Sequence, residues 1–244
     1  MHLADHTTRS FAAALDDVEV GVLPVGSTEQ HGPHLPLSTD HLVAEAVAAD
    51  LDHDAATVLP TLAIGVSGHH RQFHGTLSVS EETFERFVRE TVESLADHGV
   101  RKVVVVNGHG GNIGALERAA RTLRAEETAF LAPWHWWDAA NYVIGHADQH
   151  ETSLVLHLAE DLVDEEHAAE AEAEGATSWG KTVHGASIGF DTADFSESGA
   201  VGHPTEGTAM LGEDLLEESV AELDAFVDWL TERPFEDLLA EPHR

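Results

Sequence analysis

Two hundred and forty-four residues suffice for one large α/β domain with a full hydrophobic core. The chain carries 45 Asp and Glu against 12 Lys and Arg, a formal net charge of −33, which argues against nucleic acid as a partner because a phosphate backbone needs a basic footprint. It has no cysteine, so disulfides, zinc–thiolate sites and thiol nucleophiles are excluded as well.

The start, MHLADHTTRS, shows no basic stretch leading into an apolar run, and no apolar run reaches the length of a membrane span. A soluble, cytoplasmic protein is expected. The acids are spread along the whole chain and often fall on helix faces. Such a self-repelling surface suits a salt-rich cytoplasm, where screening shortens repulsion to about 3 Å near 1 M salt.

Val18–Gly26, VEVGVLPVG, is a short apolar run ending in glycine and predicts a buried strand. GSTEQHGPHLPLSTDH (Gly26–His41) follows and packs Glu29, His31, His34, Asp40 and His41 around Pro33 and Pro36, which bar an uninterrupted helix. From Asp40 onward, Val43, Val47 and Leu51 recur every four residues and predict a helix. Thr57–Gly65 predicts a second strand, weakened by Pro60. Ser80 predicts an N-cap, with Glu81 and Glu82 in the first turn. The helix after it sets Phe84, Phe87, Val88, Thr91 and Leu95 on one stripe, and Gly99 is its stop.

The four valines of RKVVVVNGHGGN predict a strand buried on both faces, as in a parallel sheet covered by helices. The chain then turns through glycines into a helix with Ile113, Leu116, Ala120 and Leu123 inward. TAFLAPW predicts a further strand and ETSLVLHLAEDLV a further helix. Asp164–Gly175 reads as a helix end with a solvated acidic face. A last long helix, about Glu206 to Glu232, repeats apolar residues at Leu216, Val220, Leu223, Val227 and Leu230. Strands alternating with helices imply right-handed crossovers, hence an α/β fold with a mostly parallel sheet, in one domain over residues 1–244.

Open parallel sheets collect ligands at the carboxyl ends of their strands. Three polar clusters lie there and should converge on one rim: Gly26–His41, NGHGGN (Asn107–Asn112) and HADQHETS (His146–Ser153). Glu29 and His31, two apart, point to the same side of extended backbone. Asp40, at a helix start, could bridge two cations. His109 stands on a glycine-flanked turn, where Gly110 and Gly111 let the backbone come close to a ligand or substrate. Imidazole and carboxylate ligands without thiolates suit Zn²⁺, Mn²⁺ or Fe²⁺. Two such ions about 3.5–4 Å apart would activate water and polarise a carbonyl. Singly, each residue has an ordinary explanation. The chain has 19 histidines, of which His53, His157, His167 and His243 are expected at the surface. An Asp before a helix is commonly a cap, and GHGG commonly a tight turn. Joint placement after apolar strands carries the metal reading.

These residues resemble the creatininase family of metal-dependent amidohydrolases. PVGSTEQHGPHLPLSTD (Pro24–Asp40) is similar to its signature, in which the Glu, the His and the Asp are metal ligands. NGHGGN, GHHRQFHGTLSVS (Gly68–Ser80), HADQHETS and SGAVGHPTEGTAMLGEDLL (Ser198–Leu216) are similar to further blocks, so the likeness spans nearly the whole chain. It implies a three-layer αβα fold, two divalent metal ions (Zn, Mn or Fe) and a homohexamer. It also implies Glu29 and His109 on one ion, His31 on the other, Asp40 between them, and His146 as the proton-transferring residue.

Departures bear on the substrate. Creatinine-hydrolysing members carry an acidic ligand where Gly111 stands, so the second ion needs another carboxylate, with Glu151 preferred and Asp148 next. Asp148-Gln149 stands where the family often shows Gly-Glu, and His74 and His203 replace a usual Pro and Asp. These changes argue against creatinine itself. The expected activity is hydrolysis of a small cyclic or non-peptide amide by metal-activated water. Trp136, Trp137, Tyr142 and Trp179 are candidates to stack on a flat substrate, Trp137 first. The alternatives are a formamidopyrimidine-nucleotide deformylase, which would need a phosphate anchor such as Arg71, a peptidase that trims a modified peptide, or a non-catalytic metal-binding protein.

Overall fold

The computed structural model describes residues 1–139 and 142–241; His243 lies outside the described residues. Four parallel strands form the central sheet in the order β2-β1-β3-β4. These are β1 (Val20–Val25), β2 (Ala56–Val58), β3 (Lys102–Asn107) and β4 (Phe130–His135). β1 and β3 lie at the centre, and every residue of both is buried. Their register pairs Val20 with Lys102 and Val25 with Asn107, so both strands end at the same rim.

The pleat sends alternate side chains into two separate cores. Val20, Val22, Val104 and Val106 face α2 (Thr39–Ala49) and the long α8 (Ala209–Thr231). Leu23, Val25, Val103 and Val105 face α3 (Glu81–Ala96) and α4 (Ile113–Ala125). Phe11 of α1 (Thr8–Ala14) packs on that second core. Helices therefore cover both faces in three αβα layers. Fully burying each such side chain is worth about 1.5–3 kcal/mol. The two apolar cores, rather than the polar rim, hold the molecule together.

Several elements differ from the sequence reading. The second strand shrinks to three residues ahead of Pro60, which has no N–H for a ladder. In α3, Ser80 caps the helix by accepting from Thr83 N, but the buried stripe is Phe84, Val88, Val92 and Leu95. Phe87 is exposed and belongs to the neighbouring face. In α4, Ala115, Leu116, Ala119 and Leu123 are buried, while Ile113 and Ala120 are only half-buried. The acidic segment forms a short separate helix, α7 (Ala168–Ala173), instead of ending α6 (Gln149–Ala159). A hairpin of β5 (Lys181–Val183) and β6 (Ala186–Gly189) was not anticipated. α5 (Trp136–Ala139) puts Trp136 in the core. Among the described residues no helix is long and apolar enough to cross a membrane.

His34 is buried beside α6, with Nε2 3.0 Å from Thr152 Oγ1. Burial pushes its pKa down to about 4, and the charge of nearby His31 adds to this. The unfolded chain, with an ordinary imidazole near 6.5, binds the extra proton first. Stability is therefore complete above about pH 6.5 and is lost as pH falls from there towards 4, by at most about 3 kcal/mol. His34→Gln is expected to flatten that limb of a denaturation-versus-pH curve. An unchanged limb would remove His34 as its cause.

Candidate metal centre

Two glycines bring the start of α2 onto the rim. A Cβ on Gly26 would lie 2.4 Å from His41 N, and one on Gly108 would lie 2.1 Å from the Asp40 carbonyl oxygen. Because neither position has a side chain, the first turn of α2 sits directly on the ends of β1 and β3. Asp40 is thereby delivered, fully buried, between two histidines. Its Oδ1 is 3.1 Å from His31 Nε2 and its Oδ2 is 3.1 Å from His109 Nδ1. Glu29, on the chain leaving β1, places Oε2 3.3 Å from His109 Nε2 and Oε1 3.3 Å from His70 Nε2. Glu151, in the first turn of α6, places Oε2 3.7 Å from His31 Nε2 and also accepts from Ala147 N. His146 is pinned by a two-way backbone bridge to Val201 and lies 3.8 Å, through Nδ1, from Glu29 Oε1.

All five candidate ligands, Glu29, His31, Asp40, His109 and Glu151, thus converge with His146 at one buried place. Asp148 does not join them. It is the N-cap of α6, spending Oδ1 on His150 N and Glu151 N and Oδ2 on Gly145 N. His74 and His203 are exposed and away from the cluster, as are His157 and His167, while His53 is half-buried against Asp228.

The electrostatics are those of a tightly neutralised cluster. Burial raises the cost of ionising Glu29, yet the charge and nearby N–H of His109, with a contribution from His70, together outweigh it and bring the Glu29 pKa down to about 2. Burial likewise opposes charge on His31 and His109, but Asp40 with Glu151, and Glu29 with Asp40, raise them well above the ordinary imidazole range. Glu151 moves the other way, because burial raises it. His146 is driven down to about 3 by burial, with His31 adding to the effect, so it is neutral at pH 7.

Several buried polar atoms here lack any hydrogen-bond partner: both carboxylate oxygens of Glu29, Oδ2 of Asp40, and Nε2 of His31 and of His70. Native proteins leave few such atoms without a reason. Ligand atoms of Glu29, His31 and Asp40 lie within 4.8 Å of one another, as do those of His31, His146 and Glu151. Carboxylate and imidazole donors at this spacing fit one or two divalent cations of the Zn, Mn or Fe type.

The cluster floors a cavity of about 400 Å³. Gly110 and Gly111 line it, and Trp137 and Trp179 form part of its wall. Trp137 lies flat against His135 at 5.0 Å, whereas Trp136 is in the core and Tyr142 packs on His150 outside the lining. A Cβ on Gly111 would lie 2.2 Å from the Val66 carbonyl and 2.4 Å from His109 Nε2. Gly111→Glu therefore cannot add a ligand and is expected to displace His109. Overpacking of this kind costs about 1–3 kcal/mol, read as a lower Tm together with reduced bound metal. Tighter metal binding in this variant would contradict the steric reading.

His70 and Gln30 also belong to the site, although neither stands out in the sequence as functional. The GHH run was visible at Gly68–His70, but it folds as a 3-10 turn outside any strand or helix pattern. Gln30 has an amide, which carries no metal-type signal.

Fold and cluster together define an α/β protein with a candidate metal centre at the carboxyl edge of a parallel sheet. The chain belongs to the creatininase family, a family of hydrolases: the creatinine amidohydrolase family model matches residues 4–227. It is 39% identical over 213 residues to the mycofactocin precursor peptide peptidase of Mycolicibacterium smegmatis, covering 83% of this chain and 82% of that one. It is 32% identical over 175 residues to the creatinine amidohydrolase of Pseudomonas putida, covering 59% of this chain and 65% of that one. A manganese creatininase structure superposes with a TM-score of 0.74 at 25% identity, covering 93% of this chain and 97% of that one.

Proposed function

We propose that the protein is a metal-dependent amidohydrolase that opens an amide bond in a short peptide or peptide-like substrate. The observation that carries it is the convergence of three carboxylates and four histidines, from sequence-distant segments, on the floor of one open cavity. Glu29, His31, Asp40, His109 and Glu151 would hold the ions, with Asp40 reaching towards both halves of the cluster. When bound, two divalent ions supply Lewis acidity for the amide carbonyl and bring the pKa of water near neutrality.

The chain's own groups supply the rest. His146 is neutral at working pH and offers Nδ1 to the site, so it can accept a proton from the attacking water and pass it to the leaving nitrogen. Gly110 and Gly111 let the substrate backbone approach the floor, and Trp137 offers an apolar wall. A cavity of this volume falls in the range of about 300–1,000 Å³ that takes drug-sized ligands, larger than a single small ring needs. The likeness to a precursor-peptide peptidase over some four-fifths of both chains favours the peptide-like substrate over the cyclic amide.

A nucleotide substrate is disfavoured. Among the described residues lining the cavity there is no Lys or Arg, and Arg71 is exposed and paired with Asp191. The small cyclic amide is retained as a second reading because two aromatic residues, Trp137 and Trp179, line the cavity. The test is a panel of zinc- and manganese-loaded protein against short linear peptides, creatinine and a formamidopyrimidine nucleotide. Release of a new amine from peptides only supports the first reading, and turnover of creatinine alone supports the second. Tight metal binding with no turnover of any amide would make the protein a non-catalytic metal binder.

A further inference from the structure

Gln30 sits between Glu29 and His31 in sequence, yet its carboxamide turns away from both into the stacked rings of His70 and His146, whose centroids are 4.3 Å apart. The orientation of the amide is determined. Oε1 accepts from Gly32 N at 3.0 Å and Nε2 donates to the Gly199 carbonyl at 3.1 Å, and a flipped amide would oppose like partners at both ends. The pocket is shaped for it: Gly199 has a φ of +88°, and a Cβ there would lie 1.9 Å from Oε1.

Nε2 is also 2.8 Å from His70 Nδ1 and 2.9 Å from His146 Nε2, which makes three contacts for two protons. The Gln30 carbonyl decides between them. His146 Nε2 lies 2.7 Å from that buried oxygen and must donate to it to satisfy it. His146 therefore cannot accept from the amide, and the second amide proton goes to His70 Nδ1, where Thr192 Oγ1 also converges at 3.0 Å. Both rings carry their proton on Nε2, but they show the site opposite nitrogens. His70 turns its N–H towards Glu29 Oε1 at 3.3 Å, and His146 turns its bare Nδ1 towards the same oxygen at 3.8 Å.

A metal-bound histidine gives its other N–H to an acceptor. His31 meets that condition through Nδ1 on the Glu29 carbonyl, and His109 through Nε2 on the Val66 carbonyl. His70 does not, because its other nitrogen faces a donor. We propose that Gln30 is a positioning residue that holds the His70 proton on Nε2, the nitrogen that faces Glu29, so that its N–H dipole steadies that carboxylate across 3.3 Å without a formed hydrogen bond and His70 is kept from coordinating a cation. The orienting role rests on the metal-centre reading above; the protonation pattern does not.

The test is the protonation state of His70 in zinc-loaded, ¹⁵N-histidine-labelled protein, read from long-range ¹H–¹⁵N spectra. The wild type should show Nε2 protonated and Nδ1 bare. Gln30→Glu puts an acceptor of the same size in place of the donor and should move the His70 proton to Nδ1, leaving His146 unchanged on its backbone carbonyl. His70→Leu should weaken zinc binding by about 10–100-fold without lowering the number of ions per chain at saturation. His70→Gln, which restores an N–H at that reach, should recover most of the loss. A bare Nε2 on wild-type His70 would overturn the proposal. So would unchanged zinc affinity in His70→Leu, or an ion missing from it at saturation, which would make His70 a ligand. If the wild type binds no zinc, the metal-centre reading fails instead, and the same spectra of the metal-free protein still decide the protonation pattern.

Discussion

Asp40→Ala is expected to bring the metal content of the purified protein from about two ions per chain towards zero and to abolish amide hydrolysis. No other carboxylate in the cluster reaches both His31 and His109, each at 3.1 Å from one of its oxygens. Removing it leaves two imidazoles with no carboxylate between them, and the remaining acids, Glu29 and Glu151, each reach only one of the two. Metal analysis of protein purified in high salt gives the answer directly, with thermal unfolding to show that the variant is folded. Retention of both ions would remove Asp40 from the centre of the site and with it the reading that it joins the two halves of the cluster.

His146→Ala should leave metal content unchanged and lower kcat by about 10²–10⁴-fold, the usual worth of a positioned proton-transfer group. The ring is held on one side by the Gln30 carbonyl at 2.7 Å and is stacked between His31 and His70, so its single free nitrogen has one direction in which to act. Steady-state kinetics beside metal analysis separates the outcomes. A loss of metal would make His146 a ligand, and an unchanged kcat would place the proton transfer elsewhere.

The architecture was legible where burial is two-sided or periodic. The valine run of β3 reads as a strand because water reaches neither face, and Ser80 reads as a cap because its hydroxyl is worth more to the Thr83 N–H than to helix continuation. Phe87 was misplaced because an apolar residue at the margin of a helical stripe fits either face, and only the packing of α3 decides. The β5–β6 hairpin is not legible in the sequence because its residues are exposed except Gly189, so no apolar alternation marks it. Within the site, Glu29, His31, Asp40 and His109 were readable from their places after apolar strands. Sequence alone separates Glu151 from Asp148 poorly, since both acids stand at the start of α6. Cap geometry separates them: Asp148 is extended and spends its oxygens on backbone N–H groups, whereas Glu151 is helical and turns inward. His70 was not readable, because its role depends on Gln30 and Thr192, which meet it only in the folded chain.

The first turn of α2, seated on Gly26 and Gly108, has a thermodynamic consequence. The site draws on residues from Glu29 to Glu151, so an unfolded chain offers a cation only scattered, weak ligands. A cation that binds the native state alone becomes a folding ligand, and every tenfold excess of free ion over its Kd adds about 1.4 kcal/mol to the native state. Occupancy of the rim and persistence of the fold are then a single equilibrium. In a cell, the supply of metal would set the lifetime of this protein as well as its rate.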